Sequence, residues 1–288
     1  MCDELSASEL AAAPAISRRR FGLVGGAAVL AACHGTGATG ARPGTVRERA
    51  VKVATPDGTA DAVFFHPATG KHPGIVMWPD IAGIRDANKA MARRLAAEGY
   101  AVLLVNQYYR SAPAPVLSGF AEWRTAEGQA RLKPMIAAIT PAGTTRDGGA
   151  FVAWLDRQPE VDAKRGIGTN GYCMGGPFAV RTAVAAPRRV RAAASLHGAA
   201  LVTEGPDSPH RLLGQTKAAY LFAIGRNDDA RAPGDKDALK AAAAASGRPA
   251  EVEVYAADHG WTVPDAPSYD RAEAERAWGR MMALFSKL

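Results

Sequence analysis

Cysteine is scarce in this sequence, which has three cysteines in 288 residues. Cys2, Cys33 and Cys173 show no paired spacing, which argues against a disulfide framework and against a thiolate zinc site. Four of the six histidines are scattered and show no metal-ligand spacing, namely His34, His66, His72 and His210. We therefore expect no metal site.

A basic stripe with interleaved aromatic side chains is missing as well, although the net charge is +7. The arginines are scattered, apart from a cluster near the N-terminus and the run Arg188–Arg191. We therefore expect no nucleic-acid partner and assign the charge to a solvated surface. The composition, 48% hydrophobic and 22% charged, is that of an ordinary globular protein with a sizeable core.

The apolar run near the N-terminus, residues 22–32, is too short to span a bilayer. It follows Ser17-Arg18-Arg19-Arg20-Phe21-Gly22-Leu23, which resembles a twin-arginine export signal, and it ends in Leu30-Ala31-Ala32-Cys33, which resembles a lipobox. We therefore expect residues 1–41 to be an export signal and lipoprotein leader, with a lipid anchor at Cys33 and a periplasmic or membrane-attached product. Alternatively, Cys33 is incidental and cleavage falls further on, as after Ala41.

Residues 42–288 predict one α/β domain with a mostly parallel central sheet and helices on both faces. Two alternating segments flank a Pro56–Gly58 turn and predict an antiparallel hairpin. Buried strands then alternate with helices, which is typical of βαβ units. The predicted strands are 74–78, 101–105, 165–170, 192–196, 219–224 and 252–255, and the predicted helices are 87–99, 147–158, 177–183, 236–245 and 269–287.

Cys173 lies in Gly171-Tyr172-Cys173-Met174-Gly175-Gly176, between a predicted strand and a predicted helix. This is the pattern of a nucleophile elbow with cysteine in place of serine. The glycines leave room for a tight turn, and the helix N-terminus favours a thiolate and a developing oxyanion. A buried structural cysteine beside a glycine turn is the alternative.

The carboxyl ends of parallel strands meet at one edge of a sheet, so the partners of Cys173 should follow other strands. Asp228 follows the strand that ends at residue 224, with Asp229 as the reserve acid, and His259 follows the strand that ends at residue 255. We expect His259 to take the thiol proton and Asp228 to orient the imidazole. The oxyanion donors should be the backbone N–H groups of Met174 and Ile81.

The elbow Gly171–Gly176, Asp228 and His259-Gly260-Trp261 together resemble the dienelactone hydrolase family of the α/β-hydrolase superfamily, over roughly residues 45–288. The resemblance implies the α/β-hydrolase fold and hydrolysis of a small-molecule ester or lactone. It further implies a Cys-His-Asp triad, an acyl-enzyme and no cofactor.

The same resemblance implies two residues near the substrate, and we expect Trp261, which flanks the predicted site, to shape an apolar pocket there. Asp80 stands where well-studied members have a glutamate that helps to control thiol ionisation, and Arg110 matches an arginine that binds a substrate carboxylate. Trp261-Thr262-Val263 stands where a second such arginine would follow the histidine, so dienelactone itself is not predicted as the substrate.

Two other functions fit parts of the pattern. Class I glutamine amidotransferases also use a Gly-x-Cys-x-Gly elbow, but they need a glutamate two residues after the histidine, where this chain has Trp261. An exported, non-catalytic scaffold that binds a small ligand or partner stays open. The oligomeric state and a lid over residues 111–149 stay open too.

Overall fold

A β-hairpin opens the part of the chain that the structure describes. The structure is a computed structural model that describes residues 45–288, so the predicted leader lies outside the described residues. Strands β1 (Val46–Thr55) and β2 (Gly58–Pro67) pair antiparallel along their whole length. The predicted hairpin is confirmed.

Strands and helices alternate after the hairpin, as the sequence predicts. The further strands are β3 (Gly74–Trp78), β4 (Ala101–Val105), β5 (Ile167–Tyr172), β6 (Val190–Leu196), β7 (Ala219–Gly225) and β8 (Ala250–Tyr255). The helices are α1 (Asp86–Ala97), α2 (Phe120–Trp123), α3 (Ala126–Ala137), α4 (Pro141–Leu155), α5 (Gly175–Ala185), α6 (Arg226–Arg231), α7 (Asp235–Ser246) and α8 (Arg271–Phe285), with a 3₁₀ helix over Pro209–Gln215.

All eight of these strands join one sheet in the order β1-β2-β4-β3-β5-β6-β7-β8. Strands β3 to β8 run parallel, and β2 pairs antiparallel with β4. The carboxyl ends of β3, β5, β7 and β8 therefore lie at one edge of the sheet. The predicted mostly parallel sheet is confirmed.

Apolar side chains cover the sheet on both faces, which explains why strands such as β3 and β4 are continuous apolar runs. One cluster joins the sheet to α4, α5 and α7 through side chains such as Phe151, Phe178 and Leu239. The other joins it to α1 and α8 through Leu95 and Phe285. Helices thus lie on both faces, as predicted.

Helices α4 and α6 differ from the predictions, and α2 and α3 lie outside the predicted helices. Helix α4 begins at Pro141 rather than Asp147, because Thr140 caps it by accepting a hydrogen bond from the N–H of Gly143 at 3.0 Å. Helix α6 was not predicted, because its residues directly follow a strand and contain the acidic pair expected in a turn. Among the helices of residues 45–288, none is long and apolar enough to cross a membrane.

Candidate active site

Cys173 occupies a sharp turn between the end of β5 and the start of α5. Its backbone has φ of +52°, an uncommon conformation for a residue with a side chain. A Cβ on Gly171 would lie 1.9 Å from the carbonyl oxygen of Gly175, and a Cβ on Gly175 would lie 2.6 Å from that of Pro79. The elbow therefore needs glycine at both positions for close backbone approach.

Backbone hydrogen bonds fix this turn against strand β6. The N–H of Cys173 donates to the carbonyl of Leu196 at 3.0 Å, and its own carbonyl accepts from Gly176 and Ala199 at 3.0 and 3.1 Å. The side chain is partly exposed, and it is the one free thiol among residues 45–288. The sulfur is thus held at the start of α5 with access to solvent.

His259 and Asp228 meet at the edge of the sheet where Cys173 lies. The imidazole Nδ1 is 2.7 Å from Asp228 Oδ2, and the N–H of His259 donates to Asn227 Oδ1 at 2.8 Å. Asp229 instead pairs with the amine of Lys236 at 2.9 Å. The structure therefore brings Asp228, and not the reserve acid, to the histidine.

The environment of His259 favours its protonated form. Burial acts to lower the pKa of the imidazole, but the hydrogen bond to Asp228 and the interaction with the thiol of Cys173 outweigh it and raise the pKa to about 10. The surroundings of His259 therefore stabilise the imidazolium that forms when His259 accepts a proton.

The two predicted oxyanion donors belong to two different segments of the chain. Met174 precedes the first residue of α5, and Ile81 belongs to the loop after β3. The peptide that carries the N–H of Ile81 is held through the carbonyl of Asp80, which accepts from Gln107 Nε2 at 2.7 Å and from Gly83 at 3.0 Å. This anchoring orients the N–H of Ile81, and no motif in the sequence indicates the role of Gln107.

Asp80 differs from its predicted place beside the substrate. It is 1% exposed, and both its oxygens accept hydrogen bonds from Arg85, at 2.8 and 2.9 Å. One oxygen also accepts from the N–H of Ala82 at 2.9 Å. Because Arg85 and the loop backbone occupy the carboxylate, Asp80 braces the oxyanion loop instead of contacting substrate.

Arg110 also differs from its predicted role. Its guanidinium donates to both oxygens of Asp147 at 2.8 and 2.9 Å and to Asp57 Oδ2 at 2.6 Å. These ion pairs fasten the β1–β2 turn to α4. The prediction that Arg110 receives a substrate carboxylate is therefore wrong for this arrangement, because two carboxylates of the chain already neutralise it.

Trp261 is 0% exposed and stacks on Tyr255, with ring centroids 5.1 Å apart. A side chain buried in this way cannot touch a substrate, so its prediction as a contact residue is wrong. The loop bends into the core after His259, and the indole of Trp261 is buried there. Trp261 therefore packs beneath the loop that carries His259.

His197 is buried next to the elbow, and both of its ring nitrogens form hydrogen bonds. Its Nδ1 accepts from the N–H of Cys173 at 3.1 Å, so the proton of the neutral ring is on Nε2, which donates to Thr262 Oγ1 at 2.8 Å. Burial and then the charge of His259 hold the pKa of His197 well below its usual value. A neutral His197 thus ties the elbow to the loop of His259.

Two cavities flank the catalytic residues. One of about 550 Å³ is lined by Asp228 and His259, and one of about 350 Å³ is lined by Met174 and by the end of α3 and start of α4. Both include Ala199 and Ala200 in their walls. Part of the segment 111–149 therefore forms a wall of the second cavity.

Residues 45–288 contain no group of three or more His, Cys, Asp or Glu side chains placed to hold a metal ion.

Comparisons with known proteins agree with this geometry. The model of the dienelactone hydrolase family matches residues 60–288. A provisionally named carboxymethylenebutenolidase of Methylorubrum extorquens is 28% identical over 240 residues, which cover 82% of this chain and 79% of that protein. A protein of Synechocystis with the same provisional name is 26% identical, over 76% of this chain and 87% of its own.

Solved structures share the fold. A crystal structure provisionally described as a dienelactone hydrolase of Klebsiella pneumoniae superposes with a TM-score of 0.73 at 22% identity, covering 85% of this chain and 100% of that one. A dienelactone hydrolase-like promiscuous phosphotriesterase from metagenomic libraries gives a TM-score of 0.68 at 23% identity, covering 84% of this chain and 98% of that one. At these identities the likeness shows the fold.

Proposed function

The chain belongs to the dienelactone hydrolase family of ester and lactone hydrolases, and from this premise we propose that Cys173 is the nucleophile of an acyl-enzyme mechanism. The observation that carries the proposal is the 2.7 Å contact between Asp228 and His259 beside a cysteine held at positive φ. A carboxylate bound to Nδ1 leaves Nε2 to serve the sulfur and the leaving group.

In the first half-reaction, the sulfur of Cys173 attacks the carbonyl carbon and forms an S–C bond. The carbonyl oxygen becomes an oxyanion, which the N–H groups of Met174 and Ile81 stabilise. The intermediate collapses to a thioester and expels the alcohol oxygen, which takes a proton from His259. A lactone leaves its alcohol attached to the acyl group.

In the second half-reaction, His259 is neutral and takes a proton from water, which attacks the thioester. The oxyanion intermediate collapses, the S–C bond breaks and the carboxylic acid leaves, so that the thiolate of Cys173 and the imidazolium of His259 are restored for the next turnover. Asp228 stabilises the imidazolium in both halves. The substrate is a small carboxylic ester or lactone, which agrees with the lactone-hydrolase names of the relatives.

Replacing Cys173 by alanine tests the nucleophile. We expect Cys173→Ala to lower kcat on 4-nitrophenyl acetate by about 10⁴-fold or more, because the acyl-enzyme cannot form. Unfolding curves of both proteins show whether the variant is folded. Turnover at the wild-type rate in folded Cys173→Ala would contradict the mechanism.

We also propose that residues 1–41 direct export through a twin-arginine signal, with Cys33 as a lipidated terminus. The support is the sequence, namely the arginines before a short apolar run and the lipobox pattern. Replacing Arg18 and Arg19 by lysine should retain the protein in the cytoplasmic fraction, whereas Cys33→Ala should keep export and lose membrane attachment. Unchanged fractionation of the double lysine variant would refute the signal.

A further inference from the structure

Arg181, on the helix that follows the nucleophile, is a buried arginine with little to bind among residues 45–288. It is 8% exposed. Its guanidinium makes one long hydrogen bond, from Nη2 to the carbonyl of Asp207 at 3.4 Å, and its buried Nε has no acceptor. A guanidinium has five N–H donors, and burying a charge without a partner is costly.

The other strongly buried arginine among residues 45–288 is Arg85, and carboxylates accept from its guanidinium on two sides. Arg85 is 3% exposed and donates to both oxygens of Asp80 and to both oxygens of Asp265. Arg181 has no such ion pair. The carboxylate of Asp207 acts on it through charge, but burial still lowers the pKa of Arg181.

Arg181 faces a cavity that begins beside the nucleophile. The cavity of about 350 Å³ is lined by Met174, whose N–H is a proposed oxyanion donor, and by Arg181. Six residues of helix separate Gly175 from Arg181, a rise of about 9 Å, and side chains tilt toward the N-terminus of their helix. Asp207 lines the cavity together with Arg181. Between Met174 and these two residues the walls are mainly apolar, formed by Ile136, Ile139, Pro177, Phe178, Ala199 and Ala200.

We propose that Arg181 is the subsite for an anionic group of the substrate, of the carboxylate type. The substrate class is then an ester or lactone whose reacting carbonyl and carboxylate are joined by a short apolar spacer that lies along α5. A carboxylate would accept the donors that the chain leaves unused, in a bidentate geometry suited to arginine. This inference rests on the proposed position of the nucleophile and assigns the anion to a residue other than Arg110.

The kinetic test compares each anionic ester with its neutral methyl ester. Mono-4-nitrophenyl esters of succinic, glutaric and adipic acids place the anion on the acyl side, and 4-acetoxybenzoate places it on the alcohol side. We expect the wild type to prefer at least one anionic member. Arg181→Met should lower the ratio of kcat/KM for the anionic ester to kcat/KM for the neutral ester by about tenfold to hundredfold. The control Arg157→Met, at an exposed position, should leave that ratio unchanged.

A second variant does not depend on the folding of Arg181→Met. Asp207→Asn removes the carboxylate that competes for the same guanidinium, so the anionic-to-neutral ratio should rise by about twofold or more. An unchanged ratio in both Arg181→Met and Asp207→Asn would overturn the anion subsite. Cys173-dependent hydrolysis of the neutral esters in that case would leave the proposed function intact.

A binding measurement on protein that cannot turn over the substrate tests the anion subsite independently of the proposed nucleophile. In Cys173→Ala protein, the mono-4-nitrophenyl glutarate anion can be titrated by calorimetry against its methyl ester. We expect the further change Arg181→Met to weaken binding of the anion by about tenfold or more and to affect the methyl ester less. Equal losses for both esters would overturn the subsite, whether or not the wild type hydrolyses them.

Discussion

At the scale of single residues, Asp228 and Asp229 are adjacent and chemically identical, yet they have different partners. Helix α6 turns Asp228 toward His259 and Asp229 toward Lys236. Sequence reasoning left this choice open, because it depends on a helix that the sequence does not announce. The pair therefore offers a matched comparison.

Replacing each carboxylate by its amide tests this division of roles. We expect Asp228→Asn to lower the pKa of His259 from about 10, because it removes the hydrogen bond and the charge that favour the imidazolium. The imidazole resonances in NMR spectra recorded against pH report this pKa. Asp229→Asn should leave it in place.

The raised pKa of His259 also predicts how the stability of the protein changes with pH. Since it is raised from 6.5 to about 10, the stabilisation by the charged pair is fully present below pH 6.5 and is lost as pH rises through about 10. Asp228→Asn should therefore destabilise the protein less at alkaline pH than at pH 6. A cost that grows toward pH 10 would contradict this assignment.

At the scale of elements, the strand-turn-helix around Cys173 is fixed by glycines. The sequence predicts this elbow well, because tight turns need small residues and glycines stand on both sides of Cys173. The start of α4 was less predictable, because Gly143, Gly148 and Gly149 have low helix propensity and tertiary packing decides the helix.

Gly171→Ala tests the elbow. The added methyl would lie 1.9 Å from the carbonyl oxygen of Gly175, so we expect destabilisation of about 1–3 kcal/mol and loss of esterase activity through displacement of the sulfur. Urea unfolding measures the first effect, and the 4-nitrophenyl acetate assay measures the second.

Gly279 in α8 provides the control. A Cβ there meets nothing within 4 Å, so Gly279→Ala should stabilise the protein by about 0.5–1 kcal/mol at unchanged activity. Equal stability changes in the two variants would show that backbone entropy, and not close approach, explains the glycine at position 171.

At the scale of the whole molecule, a buried ion network joins distant parts of the chain to the site. Arg85 pairs with Asp80 in the oxyanion loop and with Asp265 in the loop beyond His259, and Asp265 also accepts from the N–H of Phe120. The network thus links both sides of the active site to α2. It also explains why Asp80 is unavailable to substrate.

Such long-range pairs set the limit of prediction from this sequence. The succession of strands and helices and the choice of Cys173, His259 and Asp228 follow from local patterns, because parallel strands gather their carboxyl ends at one edge. Arg85 and Asp265 are 180 residues apart, and no local period indicates that they meet. No local pattern indicates the pairing of Arg110 with Asp147 or the burial of Trp261 either. For this reason the sequence alone assigns Arg110 and Trp261 to the substrate.

The central claim, an acyl-enzyme on Cys173, is tested most directly by mass. The protein is mixed with excess 4-nitrophenyl acetate, quenched in acid within the first turnovers and measured as intact protein and as peptides. We predict one added acetyl group, located on Cys173, in the wild type and its absence in Cys173→Ala. Rapid turnover without an adduct on Cys173, at a rate that Cys173→Ala shares, would contradict the account.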